Sequence, residues 1–283
     1  MSYLMFKMTG NPSLTQLSVP LVSLILAGGM FLSPNSALAV DLASHKAIYD
    51  IRMKSADTGS QVLDVRGKML FTFKKSCDGW ISNHKFVLDY EYTGAPPVQI
   101  ESKFASFEKF DGTLLNFSSN RFANGEADLE LRGLAKTSIN KATYSIPANL
   151  SFDLSKTTLF PAMHTVKLIE AAGQGQKIVN ATVFDGSDDQ GPVEINAVIG
   201  KKLVLEPDAK LNQKLISGTG WSMRLAVFPN SQDDNQTTSD YEMTMTLQEN
   251  GIIRDMIIDY DNFSVTQKLV ALEPITDDIC GAD

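Results

Sequence analysis

HKAIYDIRMK at residues 45–54, VRGKMLFTFK at 65–74 and HKFVLDYEY at 84–92 decide the fold. In the first stretch Ala47, Tyr49, Ile51 and Met53 alternate with Lys46, Asp50, Arg52 and Lys54. In the second, Val65, Gly67, Met69, Phe71 and Phe73 share a parity, and Arg66, Lys68, Thr72 and Lys74 fall on the other. The third sets His84, Phe86, Leu88, Tyr90 and Tyr92 against Lys85, Asp89 and Glu91. A period of two, with one dry face and one wet face, is the signature of half-buried antiparallel strands.

The pattern recurs outward from there. Ala127, Leu129 and Leu131 oppose Asp128, Glu130 and Arg132; Met243, Met245 and Leu247 oppose Glu242, Thr244 and Thr246. Asn124-Gly125 and Asn250-Gly251 separate such runs and predict type I′ hairpins, whose two central residues both need positive φ. Asp111-Gly112 marks a third turn. About 13–14 strands are expected on this pattern. So many strands must close or curl, because open edges template aggregation. The reading is an all-β protein with one large curved antiparallel sheet, a β-spiral or opened barrel. A membrane-spanning barrel would need an outward apolar band, whereas here the outer parity is dense in Lys, Arg, Asp and Glu.

One segment departs from the period of two. After Phe160, Pro161 opens a central helix through Met163, Val166, Ile169 and Ala172, with Gly173 as its stop. Those four apolar residues, three apart, predict the buried stripe. Residues 185–192 and 230–240 read as polar surface loops.

The amino terminus carries Lys7, an apolar run from Val19 to Leu32, and Ala37-Leu38-Ala39. That order predicts a cleaved secretory signal over 1–39, with small residues Ala37 and Ala39 at −3 and −1 and the mature chain starting at Val40. The run is shorter than the roughly 20 residues a membrane-spanning helix needs. Residues 40–283 are then read as a single domain. The formal charge of −8, without a Lys/Arg run, lacks the footprint of nucleic-acid binding. Cys77 and Cys280 are the two cysteines. Both lie in the exported part, and an even count in an oxidising compartment favours a disulfide between them. Two free buried thiols are the alternative.

Catalytic motifs are missing. The three histidines, His45, His84 and His164, fall on different predicted elements and outside any zinc-binding spacing. They read as structural: His45 opening a strand, His84 a hydrogen-bonded core residue, His164 a contact near the helix start. No G-x-S-x-G elbow, phosphate loop or dinucleotide fingerprint occurs. Asp185-Gly186-Ser187-Asp188-Asp189 has a calcium-like composition but not the order of an EF-hand loop, and reads as solvated. No cofactor, metal or catalytic residue is assigned. Fifteen Phe, seven Tyr and eleven Met would fill a packed core or line a cavity for an acyl chain; such residues pack cores in most proteins.

Several short stretches also carry a family resemblance: His45-Lys46-Ala47-Ile48-Tyr49-Asp50, Arg66-Gly67-Lys68-Met69 and Cys77-Asp78-Gly79-Trp80. Further along stand Phe104-Ala105-Ser106-Phe107-Glu108 before Asp111-Gly112, Phe160-Pro161-Ala162-Met163-His164, Leu272-Glu273-Pro274 and Cys280-Gly281. In this order they resemble the EipB family of periplasmic cell-envelope-integrity proteins. The resemblance implies a many-stranded β-spiral, a disulfide joining Cys77 and Cys280, and a role in maintaining the envelope, with no catalytic residues to carry over. The expected protein is a periplasmic monomer that binds an envelope protein or lipid partner. It binds no nucleic acid and does not span the membrane once processed. Carriage of lipid or lipoprotein acyl chains, and an envelope hydrolase without a recognisable motif, are the alternatives.

Overall fold

In the computed structural model, the described residues are 40–216, 218–229 and 238–281. The expected cleavage site at Ala37 and Ala39 lies outside them, as does most of the loop expected at 230–240. Among the described residues, fourteen strands form one sheet, antiparallel throughout. They are β1 (His45–Ala56), β2 (Val62–Lys75), β3 (Gly79–Tyr92), β4 (Ala95–Lys109), β5 (Leu114–Ala123), β6 (Glu126–Lys136), β7 (Lys141–Ile146), β8 (Ser151–Asp153), β9 (Ile178–Val183), β10 (Val193–Leu205), β11 (Gly218–Pro229), β12 (Tyr241–Gln248), β13 (Ile253–Asp259) and β14 (Phe263–Pro274). Helix α1 (Pro161–Gly173) separates β8 from β9, and a single turn of helix, α2 (Gln213–Ile216), precedes β11.

The strand order is β8-β7-β6-β5-β4-β3-β2-β1-β14-β13-β12-β11-β10-β9. The first strand pairs with the last, in register from His45 opposite Pro274 to Ala56 opposite Phe263. Two up-and-down wings therefore leave a central seam, and the chain passes from one outer edge, β8, to the other, β9, through α1. The sheet does not close: β8 and β9 are its two edges. It curls until residues of β5 and β6 share a cleft with residues of β11 and β12.

Alternation fixes which side chains fill the inside. Ala47, Tyr49 and Ile51 of β1 are buried, as are Val65, Met69 and Phe73 of β2 and Met243, Met245 and Leu247 of β12. The larger core joins these strands to α1 and to the wing β9–β14. A second core, around Phe104, Leu115, Phe117, Leu131, Tyr144, Phe160 and Phe184, packs the other wing. Ala127 is exposed, because a register irregularity at Arg121/Phe122 ends the regular alternation of that hairpin.

Helix α1 has the bounds the sequence predicts, yet its buried stripe differs. Pro161, Ala162, His164, Leu168, Ile169, Ala171 and Ala172 are buried, whereas Met163 and Val166 are half-buried. A strict spacing of three drifts around a helix of 3.6 residues per turn, so the contact face follows 161, 164, 168 and 171–172 instead. The hairpin turns also divide. Asn124 and Gly125 both have positive φ, at 52° and 85°, the type I′ requirement. At Asn250-Gly251 only Gly251 has positive φ, at 84°. Asn250 instead uses its amide, donating to the Leu215 carbonyl at 3.0 Å and accepting from the Ile252 N–H at 3.3 Å.

The 185–192 segment is not a solvated loop. Gly186, Ser187 and Pro192 are buried, and the Tyr144 hydroxyl donates to the Asp188 carbonyl at 3.0 Å. Asp185 and Asp188 each accept an N–H two residues on, from Ser187 at 2.9 Å and Gln190 at 2.8 Å. Their carboxylates thus serve the loop's own backbone.

Candidate functional site

Three features on the inside of the curl could carry a function: a polar cap under α1, a histidine-aromatic layer, and an aromatic mouth with a cleft.

The cap comes from β4. Phe104, Ser106 and Glu108 share the inward parity of that strand, facing His84, Ser82 and Trp80 across the ladder. Glu108 is buried, with both oxygens at the start of α1: Oε2 accepts the Ala162 N–H at 2.7 Å and Oε1 the Met163 N–H at 2.8 Å. A helix leaves its first N–H groups unpaired and positive. Phe160, in the capping position, offers no side-chain bond, so a carboxylate from a distant strand does that work. Burial pushes the Glu108 carboxyl up to about 7, against the lowering pull of those two N–H bonds. This residue was missed in the sequence. Its signals were an acid on the dry parity of a strand, and a helix whose capping position holds phenylalanine.

The histidine layer lies on β1, β2, β3 and β4. The His45 ring sits 5.3 Å from Phe71, Phe71 meets His84 edge-on at 4.7 Å, and His84 meets Phe104 at 5.7 Å. His45 Nδ1 donates to the Ala43 carbonyl at 2.6 Å. Ser82 Oγ and His84 Nε2 are 2.8 Å apart. Burial holds His84 and His164 far below the ordinary imidazole value, at about 3, and lowers His45 as well. All three are neutral at physiological pH.

A serine bonded to a neutral histidine is half of a nucleophilic pair, but a catalytic pair also needs a group orienting the base. His84 Nδ1 has no hydrogen-bond partner among the described residues, and its ring is packed against Phe71 and Phe104. Ser82 is buried, so a substrate would have to enter the core to reach it. The structure spreads His45, His84 and His164 through the packing, and no three metal-ligating side chains come together among the described residues.

The mouth is at the opposite end of the strands. Tyr90 and Tyr92 stack at 6.1 Å, and Tyr260 stacks on Phe263 at 4.6 Å and approaches Tyr241 at 6.4 Å. Phe71, Phe86, Leu88, Tyr90 and Tyr92 on β2 and β3 are only partly buried. Burial pushes the Tyr90 hydroxyl up to about 12 and raises Tyr260 as well. Beside this wall a cleft of about 220 Å³ runs from Arg121 and Leu129 past Ser187, Asp188 and Pro192 to Pro229 and Tyr241. Pockets for drug-sized ligands hold roughly 300–1,000 Å³. The cleft is large enough for a side chain or a short turn of peptide. It is too small for a long acyl chain.

The Sγ atoms of Cys77 and Cys280 stand at disulfide distance, with Cα atoms 5.4 Å apart. Cys77 lies in the β2–β3 turn, and Cys280 follows the tail that leaves β14. Trp80 enters the core beside that turn, its ring 4.8 Å from Phe110; Trp221 is buried on β11.

An unclosed fourteen-stranded antiparallel spiral, cored by one helix and bonded tail to turn, defines a class of β-barrel-like proteins. The chain belongs to the EipB-like family, whose model matches residues 36–276. It is 32% identical over 244 residues to the cell envelope integrity protein EipB of Brucella abortus, covering 84% of this chain and 86% of that one. A crystal structure of a beta-barrel-like protein of a domain of unknown function from Brucella abortus is similar with a TM-score of 0.77 and 32% identity. That match covers 84% of this chain and all of the other.

Proposed function

We propose that the protein is a non-catalytic periplasmic factor that maintains cell-envelope integrity by holding a protein partner. Membership in the EipB-like family carries the envelope role. The packing of the buried polar groups and the size of the described cleft carry the rest. Helix α1 occupies the space between the wings, the buried polar groups serve packing, and the cleft is too small for an extended lipid. Deleting the gene and challenging the cells with detergent tests the role. Sensitivity should rise and be restored by the wild-type gene and equally by Ser82→Ala or His84→Gln, provided that the variants are folded by circular dichroism. A folded Ser82→Ala protein that failed to restore growth would mean a reaction takes place at that hydroxyl. In-cell cross-linking from the mouth and from the sheet edges should then yield protein adducts; their absence would sink the partner reading.

Carriage of an acyl chain has one observation in its favour, the half-covered wall of Phe71, Phe86, Leu88, Tyr90 and Tyr92. Solvent extraction of the purified protein, followed by mass spectrometry, decides it. Stoichiometric lipid would replace the protein-partner reading.

A further inference from the structure

The sheet's two terminal strands are protected from outside pairing. Edge β8 is only three residues long. At β9, the Leu159 N–H donates to the Thr182 carbonyl at 2.9 Å and the Phe184 N–H to the Leu159 carbonyl at 3.0 Å. Short or covered strands are the usual defence of an edge.

A third edge lacks that cover. Strand β9 pairs with β10 only from Val193 to Val198, while β10 runs on to Leu205. Across β11, Ile199 faces Met223 and Lys202 faces Trp221, so Gly200 and Lys201 share Ser222 in a β-bulge. The direction of the backbone beyond this bulge follows from its neighbours. The Ile199 N–H donates outward, to the Lys177 carbonyl at 2.8 Å. The Thr219 carbonyl accepts from Glu249 at 2.9 Å, on the β12 side. Thr219 faces Val204, and Trp221, of the same parity, faces Lys202. Residues opposite one another alternate between bonded and non-bonded pairs. Lys202 and Val204 therefore aim N–H and C=O away from β11, along the side that β9 has left. Val204 is 84% exposed, and Lys201 and Lys202 are exposed.

We infer that residues 200–205 of β10 are a docking edge for an extended, acidic segment of a partner protein, which adds as a strand. This rests on the partner-binding reading above and gives it a place. Main-chain bonds to Lys202 and Val204 would supply the pairing, as in other strand additions. Charge chooses the occupant. Lys177, Lys201 and Lys202 are exposed around the edge, and none forms an ion pair among the described residues. They make a basic edge on a chain of net charge −8. Edge lysines and a bulge also discourage pairing with a second copy. Glu206 and Asp208 lie beyond the other end of the segment, so the partner's acids belong beside the lysines and its apolar residue beside Val204.

The test uses the full mature chain and two blocked hexapeptides, Asp-Asp-Thr-Val-Thr-Val and its reverse, with Lys-Lys versions as controls. Millimolar acidic peptide should slow amide exchange at Lys202 and Val204. Val204→Pro removes an outward N–H that β11 does not use, so it should abolish protection and leave the circular dichroism unchanged. Reversing both lysines to Glu should weaken binding by roughly tenfold or more, and added salt should weaken the wild type. Absent protection, equal binding of the Lys-Lys peptides, or undiminished binding by folded Val204→Pro would each overturn the inference. A concentration-dependent dimer lost in Val204→Pro would assign the edge to a second copy instead. Partner adducts that map only to the mouth would remove this edge and leave the partner reading standing.

Discussion

At the scale of single residues, the buried titratable groups work against one another. Glu108 has its folded value raised to about 7 by burial, so its contribution is complete below about pH 4.5 and is lost as pH rises through 7. His84 and His164, lowered to about 3 by burial, contribute above about pH 6.5 and lose that contribution as pH falls toward 3; the lowered His45 has the same sign. Between pH 4.5 and 6.5 the histidines outnumber the carboxyl, and stability should rise with pH. Above pH 6.5 the unfolded histidines finish losing their protons while Glu108 ionises, so the two effects nearly cancel up to pH 8. Urea unfolding of the wild type should thus show stability rising from pH 4.5 and levelling off near pH 7. Glu108→Gln removes the opposing loss and should make that rise steeper between pH 4.5 and 7; an unchanged slope would acquit Glu108. Sequence parity assigned His84 to the interior because the residue sits among Phe and Leu at alternate positions. The role of Glu108 was not legible, because its partners, Ala162 and Met163, are more than fifty residues away and meet it only once the sheet has curled.

Among the elements, turn chemistry separates local from tertiary information. Asn124-Gly125 was readable because a two-residue hairpin is determined by its own backbone. The turn at Asn250 was not, since Leu215 from a neighbouring loop captures its side chain. The same gap hid the packing of residues 185–192, where an acidic composition outweighed two glycines with buried neighbours. A pair of substitutions measures the difference. Gly125 has positive φ and open space around it, so Gly125→Ala should cost only the backbone term, about 1 kcal/mol. Gly186 also has positive φ, at 70°, and a Cβ there would stand 2.4 Å from the Phe117 ring. Gly186→Ala adds overpacking of roughly 1–3 kcal/mol and should lower the melting temperature well beyond the Gly125→Ala change. Equal shifts would mean that the loop does not press on Phe117.

For the whole molecule, the seam between β1 and β14 is the one junction that joins the two wings within the sheet. The tail after Pro274 crosses this seam. The Ile275 N–H donates to the Ser44 carbonyl at 3.2 Å, Asp277 accepts from the Ser44 hydroxyl, Asp278 pairs with Lys74, and Cys280 reaches Cys77 beyond β2. A bond there spans β14, β1 and β2 at one end and closes a loop with a sequence separation of 203 residues. On the chain-entropy model such a loop is worth about 5 kcal/mol, and a domain of this size shifts by roughly 2–4 °C per kcal/mol. Exposed pairs such as Lys74 with Asp278 contribute little by themselves, so sulfur has to hold the tail. Replacing both cysteines by serine should lower the melting temperature by several degrees, and amide exchange should quicken first at Ile275 and then along the β1–β14 ladder. If the loss appeared uniformly across all fourteen strands, the bond would act on the unfolded chain alone. If exchange quickened at the tail without any change in melting, the seam would be held by β1 and β14 themselves, and the sulfur bridge would serve only to keep the tail in place.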